Sequence, residues 1–198
     1  MRMVTGVLCA SLACTIMPVY ASGGYLGVGA GMGSSVDATA NAQAYAGLYT
    51  NGTYTKSRLA FNVFAGYQLN KYVAAELEYI NFGSYSLTRT APWGGYTETD
   101  TIGAASAAAV GTWPISPMFS AFGKLGFAAS MDKATEYSYN SRTTTAINIM
   151  FGVGGAVNLT KHFALRLEYD QYDGIGKSGY EYTAGPFTQV AASALYMF

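Results

Sequence analysis

The segment that ends the chain constrains its fold more than any other. From Gln189 to Phe198 the side chains alternate in character, with the two-residue period of a β-strand. One face carries Val190, Tyr196 and Phe198 among small residues, and the other begins with Gln189 and contains Ser193. Because an unpaired strand with an apolar face promotes aggregation, this segment is expected to close against another strand.

The same two-residue period recurs along the rest of the chain. The clearest alternating segments are 26–32, 61–69, 73–79, 119–127, 147–157 and 163–169. Residues 101–113 are rich in Ala and Gly, so their alternation is degenerate and a short helix is the alternative there. With this segment and the terminal strand the total is about eight strands, the smallest number known for a closed membrane barrel.

The connections between these segments alternate in length. The short connections are 70–71, 115–118 and 158–162, and the long ones are 33–57, 84–100, 131–143 and 173–181. Short periplasmic turns and long outer loops are typical of outer-membrane barrels. The sequence therefore predicts an all-β fold, an eight-stranded antiparallel up-and-down transmembrane β-barrel.

Composition agrees with this class and excludes others. Only 11% of the 198 residues are charged, 15% are aromatic and the net charge is zero. A chain without net positive charge is not expected to bind nucleic acid. It also has no apolar run of about 18 residues, the minimum for a transmembrane helix.

The first residues have the pattern of a secretory signal. Arg2 precedes a short apolar stretch, and the segment Val19-Tyr20-Ala21 places small residues where signal peptidase cleaves. We therefore expect a signal peptide at residues 1–21 and a barrel domain at 22–198, exported to the outer membrane of a Gram-negative cell. Both cysteines fall in the signal segment, so the mature chain is expected to lack a disulfide, a thiolate metal site and a cysteine nucleophile. Lipidation of Cys14 is the alternative to simple cleavage.

Charged residues of the strands fall on the face that does not contact lipid. They are Glu76, Glu78, Lys124, Arg166, Glu168 and Asp170. Residues 69–79 resemble residues 159–169, and this repeat places Glu76 and Arg166 at equivalent depth with opposite charge. Because buried charges must pair, we interpret the set as a structural ion-pair plug, with a narrow gated conductance as the alternative.

Aromatic residues decorate the long connections. The candidate contact residues are Tyr45, Tyr49, Tyr54, Tyr85, Trp93, Tyr96, Tyr137 and Tyr139. Tyrosine in polar loops is good binding material, although strand extensions or an interfacial belt explain the same pattern. The single histidine, His162, falls in a predicted periplasmic turn, so no Ser–His dyad, metal site or cofactor site is expected at the outer rim.

Four segments together resemble one family over nearly the whole mature chain. They are GYLGVGAGMG, FAGYQLNKYVAAELEYINFG, FSAFGKLGF and FALRLEYDQYDGIG, followed by the final strand. They are similar to the OmpA-like transmembrane domain, within the small outer-membrane barrels that include the OmpX, Ail and Opa types. We expect no peptidoglycan-binding domain after the barrel, and Ser193 stands where relatives often have Gly.

The resemblance implies a monomeric, non-enzymatic, porin-like or adhesive surface protein that supports membrane integrity. Its partners would be outer-membrane lipid and lipopolysaccharide, the barrel-assembly machinery and a host or surface ligand. Tyr196 and Phe198 would form the assembly signal. A lipid A-modifying enzyme is the alternative from another functional class.

Overall fold

The fold is known from a computed structural model of the chain. It describes residues 23–35, 51–54, 57–91, 94–136, 140–173, 177–178, 181–182 and 186–198. The predicted signal peptide and several of the candidate loop residues lie outside this part of the chain.

Every regular element in the described ranges is a β-strand. The strands are β1 Gly23–Ser35, β2 Asn51–Tyr54, β3 Ser57–Asn70, β4 Val73–Ala91, β5 Gly94–Pro114, β6 Phe119–Glu136, β7 Asn140–Asn158, β8 Phe163–Tyr172, β9 Lys177–Ser178, β10 Glu181–Tyr182 and β11 Phe187–Met197. Eight of them form the barrel, while β2 extends the edge of β4, and β9 and β10 pair only with each other.

Antiparallel pairing closes the sheet on itself. The barrel order is β4, β3, β1, β11, β8, β7, β6, β5, and β5 then pairs with β4. The seam joins the two ends of the described chain, with Tyr25 opposite Met197 and Ser35 opposite Phe187. The eight-stranded antiparallel barrel predicted from the sequence is thus confirmed.

The two faces of the barrel differ sharply in chemistry. Large apolar side chains on the outer face are exposed, as Leu77, Ile147 and Leu167 illustrate, whereas lumen-facing positions are buried. This inversion of a soluble fold is what a lipid solvent requires, because the outer face packs against acyl chains. Within the described residues, no helix is long and apolar enough to cross a membrane.

Two sequence-based expectations about the connections were wrong. Residues 84–100 and 131–143 were expected to be loops, but most of these residues extend the β4–β5 and β6–β7 hairpins. Their Thr, Tyr and Ser residues favour extended backbone and pair in register, for example Tyr85 with Asp100. Residues 101–113 are also strand throughout, so the helical alternative is excluded.

A bulge marks the point where the β4–β5 hairpin leaves the barrel wall. The register shifts between Asn81 and Ser84. Gly83 has a positive φ of 82°, a conformation that only glycine adopts without strain, and its amide donates to Oδ1 of Asn81 at 2.8 Å. The Ser84 and Thr101 hydroxyls then bridge the two strands at 2.9 Å.

Candidate functional site

The lumen is layered along the barrel axis. Along β8, Ala164 is followed by Arg166, Glu168 and Asp170 and then by Tyr172, so charged positions lie between apolar ones. Two clusters of buried apolar side chains lie on either side of the charged layer, one toward the short turns and one toward the hairpins. We call the charged layer the lumen network. The six sequence-predicted charged residues all lie in it, each at most 5% exposed.

Arg166 and Glu76 form the shortest ion pair among the charged residues of the lumen network. Arg166 Nη1 lies 2.7 Å from Glu76 Oε2, and Nη2 lies 3.3 Å from Oε1, so the contact is bidentate. The guanidinium also lies over the rings of Phe122 and Phe64, at 4.1 and 4.9 Å from their centroids. Tyr25 completes the pair by donating its hydroxyl to Glu76 Oε2 at 2.8 Å. A planar cation held by two rings and a carboxylate is strongly oriented.

Lys124 is the second cation of the network and is shared among carboxylates. Its ammonium lies 2.8 Å from Glu76, 2.9 Å from Glu168 and 3.2 Å from Glu78. Arg166 also reaches Glu168, at 3.0 Å. The two cations therefore hold the three glutamates in one connected layer that reaches across the lumen from β4 to β6 and β8.

Asp170 is the least satisfied member of the network. Its nearest cation, Lys124, is 3.9 Å away, and no hydrogen-bond donor reaches either carboxylate oxygen among the described residues. Oxygens of Glu78, Glu168 and Asp170 lie within 4.8 Å of one another, a spacing that would suit a metal ion. The Lys124 ammonium contacts Glu78 and Glu168 and lies 3.9 Å from Asp170, so it supplies the positive charge at this point.

Glycines on the lumen face make room for the rings that hold Arg166. A Cβ atom on Gly27 would lie within 2.7 Å of three ring atoms of Phe64, and one on Gly154 would overlap the ring of Phe122. Sequence reasoning did not assign Tyr25, Phe64 or Phe122 to the site. The available signal was their position on the non-lipid face opposite glycines.

Asn62 is a further member of the network that sequence reasoning missed. Its amide donates to Glu78 at 2.6 Å and more weakly to Glu168 at 3.4 Å. It lies on the non-lipid face of β3, a strand that contributes none of the six charged residues. A buried amide with two carboxylate partners fixes the positions of both.

The terminal residues form an aromatic girdle at the short-turn end. The ring of Tyr196 packs edge-on against Phe163 and Phe198, with centroids 5.1 and 5.3 Å apart. The Phe198 amide donates to the Gly24 carbonyl at 3.0 Å, which ties the end of the chain to β1. His162 stacks on Tyr196 and donates from Nδ1 to the Met197 carbonyl at 3.0 Å. His162 therefore anchors the closing strand, which the sequence did not indicate.

The candidate loop residues divide into two groups. The backbone of Tyr54, Tyr85 and Tyr96 lies in β2, β4 and β5, so these residues belong to strand extensions. The others lie outside the described residues, namely Tyr45, Tyr49, Trp93, Tyr137 and Tyr139.

A closed eight-stranded barrel with an apolar exterior and a charged, packed lumen defines a small outer-membrane β-barrel protein. The family model of the OmpA-like transmembrane domain matches residues 21–198. The chain belongs to this family. Comparison with curated protein sequences finds no match.

Solved structures share the fold at low sequence identity. Neisserial surface protein A aligns with a TM-score of 0.63 and 12% identity, covering 89% of this chain and 98% of that one. The N-terminal barrel of Pseudomonas aeruginosa OprF aligns with a TM-score of 0.55 and 13% identity, covering 90% of this chain and 100% of that one. Ail of Yersinia pestis was solved with the heparin analogue sucrose octasulfate. It aligns with a TM-score of 0.51 and 13% identity, covering 89% of this chain and 99% of that one.

Proposed function

We propose that this protein is a non-enzymatic surface barrel that supports the outer membrane and binds partners through its extended hairpins. The observation that carries the proposal is strand length. β4 and β5 contain 19 and 21 residues. A tilted transmembrane strand needs only about 9 to 11 residues, so each extends roughly eight or more residues beyond the bilayer.

Aromatic contacts favour an uncharged or carbohydrate-like partner. Tyr85 and Tyr96 lie in the paired extensions of β4 and β5, where a rigid backbone lowers the entropy cost of presenting a ring. The Ail structure contains a heparin analogue. The outer segments of this chain carry six basic residues and seven acidic ones, so they have no excess of positive charge. The basic residues are Lys56, Arg58, Arg89, Lys133, Arg142 and Lys177. We therefore infer recognition through aromatic contacts rather than through a polyanion-binding basic cluster.

Shortening one hairpin tests the binding role. Ser86 pairs with Thr99 and Tyr85 with Asp100, so replacing residues 86–99 by Asn-Gly leaves a register compatible with a two-residue turn. Cells that display this variant are expected to lose adhesion to host cells and extracellular matrix, while the protein still shows a heat-dependent gel shift. A variant with Tyr85→Ser and Tyr96→Ser is the finer test, because it removes the two rings and keeps the hairpin. Undiminished adhesion of the shortened variant would contradict the binding role.

Membrane support is separable from binding. A null strain is expected to take up apolar dyes faster than wild type, because the outer membrane loses a barrel that packs against its lipids. The shortened-hairpin protein is expected to restore the barrier although it does not restore adhesion. If neither the wild-type nor the shortened-hairpin protein changes dye uptake of the null strain, the support role is wrong.

A lipid A-modifying enzyme is the alternative from another class. His162 is the one histidine of the sequence, and it lies at the short-turn end, away from the leaflet that holds lipid A. We therefore expect mass-spectrometric lipid A profiles to be identical with and without the protein. A missing or added acyl chain in the strain that carries the protein would establish the enzyme instead.

A narrow gated pore is the other alternative, and the lumen network is the feature that favours it. A cavity of about 70 Å³ opens at the short-turn end and reaches Arg166. Beyond the charges, however, Phe82, Tyr172 and Phe187 pack against one another. We expect purified protein to show no channel steps in planar bilayers. Regular steps that Phe82→Ala enlarges would support the pore.

We also propose how the chain reaches this state. Residues 1–21 act as a cleaved signal peptide, and residues 22–198 fold as one monomeric barrel with help from the barrel-assembly machinery. The girdle of Tyr196 and Phe198 supports this role because it completes the closing strand. The mass of the mature protein, measured intact, tests cleavage after Ala21.

A further inference from the structure

The lipid-facing surface has a notch near the short-turn end. One cross-strand row of outward positions reads Val73, Gly111, Gly123 and Val153 across β4, β5, β6 and β7. Two adjacent glycines leave no side chain in the middle of that row. An added Cβ on either would approach nothing closer than 3.8 Å, so the space above them is open.

The notch is the floor of a groove of about 820 Å³. Trp113, 73% exposed, and Tyr72 form its walls toward the short-turn end. Tryptophan and tyrosine at this level mark the boundary between acyl chains and headgroups. The groove therefore begins in the hydrocarbon region and ends at the headgroups.

A single cation stands at the headgroup end of the groove. Lys71 lines it, with its ammonium 4.7 Å from the centroid of the Tyr72 ring. Among the described residues Lys71 has no carboxylate within ion-pair distance. Its charge is therefore available to a group outside the protein.

A second groove on the lipid face supplies a comparison. It holds about 560 Å³ and passes over Gly155, between Phe119, Val153 and Leu167. No lysine or arginine lines it. The two grooves thus share an apolar floor that contains glycine, and differ in the cation at the rim.

We propose that the Lys71 groove binds an anionic phospholipid of the periplasmic leaflet. One acyl chain lies over Gly111 and Gly123, next to Trp113. The phosphate of the headgroup lies against Lys71. Lipopolysaccharide also combines acyl chains and phosphate, but it occupies the outer leaflet, and this groove is at the end of the short periplasmic turns. A cationic side chain near an anionic lipid surface contributes attraction that lipids without net charge do not provide.

Trp113 reports directly on the groove. The chain has two tryptophans, so a Trp93→Phe background leaves Trp113 as the only one. This protein is reconstituted in vesicles that mix phosphatidylcholine with brominated phosphatidylglycerol or brominated phosphatidylcholine, and bromine quenching of Trp113 is measured. We expect brominated phosphatidylglycerol to be preferred by about fivefold, the effect of one lysine near an anionic headgroup. Equal quenching by the two lipids overturns the proposal.

Matched substitutions separate the charge from the groove. Lys71→Gln is expected to bring the preference to about one, whereas Lys161→Gln, in another turn at the same end, leaves it near fivefold. Gly123→Leu fills the notch and is expected to lower the preference, whereas Gly155→Leu, in the second groove, does not. The heat-dependent gel shift verifies that each variant is folded. A preference that survives both Lys71→Gln and Gly123→Leu shows that the lipid binds elsewhere and overturns the assignment.

Discussion

At the scale of single residues, Arg166 determines how the lumen is organised. It contacts Glu76 and Glu168 and lies between two aromatic rings, all within the barrel. Desolvating a guanidinium is costly, so the contacts must compensate together. Removing Arg166 or one of its carboxylate partners therefore leaves a charged group unpaired inside the barrel.

Arg166→Ala tests this dependence. We expect the free energy of unfolding to fall by about 3 to 5 kcal/mol, because Glu76 loses its bidentate partner inside the barrel. Arg166→Ala combined with Glu76→Ala should regain part of the loss, since Lys124 keeps Glu78 and Glu168 as partners. Urea titration of the refolded protein in lipid vesicles measures both. Strictly additive losses would mean that Arg166 and Glu76 are not energetically coupled.

Asp170 presents the opposite case, because the lumen holds more carboxylates than cations. Asp170→Asn is expected to raise the free energy of unfolding by about 1 to 3 kcal/mol, because it removes the excess negative charge and supplies an amide that can donate to the neighbouring carboxylates. Glu76→Gln is the matched control and should lower stability, since that carboxylate has strong partners. Urea titrations would contradict the argument if both changes shifted stability in the same direction.

At the scale of elements, the closing strand depends on contacts at its very end. β11 pairs with β1 and β8, and its last residues are tied down by the girdle around Tyr196 and by His162. Interfacial aromatic residues hold a strand at a fixed depth. Backbone pairing therefore fixes the position of β11 between its neighbours, and the aromatic girdle fixes its depth in the membrane.

Deleting Phe198 removes the outermost part of this girdle. We expect slower conversion to the folded, heat-modifiable form and lower surface levels, because the final backbone bond to Gly24 is lost together with the ring. A time course of the gel shift after induction measures this. Phe119→Ala, an exposed aromatic at the same end but away from the seam, is the control. Equal kinetics for both variants would contradict the role of the terminus.

At the scale of the whole molecule, the two ends of the barrel are unlike. Turns of a few residues connect the strands at one end. At the other end, the hairpins extend beyond the bilayer. A protease site inserted between Ala91 and Gly94 should be cut on intact cells, because β4 and β5 are about twice as long as a strand that spans the bilayer. The same site inserted after Lys71 should be cut only once the outer membrane is broken. The reverse pattern would invert the orientation.

Much of this arrangement followed from the two-residue period. The period placed Leu77 outside and Glu78 inside, and it did so for every well-alternating strand. It could not show where strands end, because Thr- and Tyr-rich sequence suits loops and extended hairpins equally. Nor could it identify Tyr25 and Asn62 as network members, because their contacts depend on barrel stagger. The role of His162 depends on the neighbouring strand, which a local pattern does not contain.

The seam between β1 and β11 also sets the order in which the molecule can form. Its partners, such as Tyr25 and Met197, stand near opposite ends of the chain, so this pairing has the largest loop-closure entropy in the fold. Local hairpins can form early, but the seam must wait until the last strand is made. Until then two sheet edges stay open and would recruit other chains. A factor that shields both edges in the periplasm should therefore matter most just before closure, and slow closure should appear as aggregation rather than as a misfolded monomer.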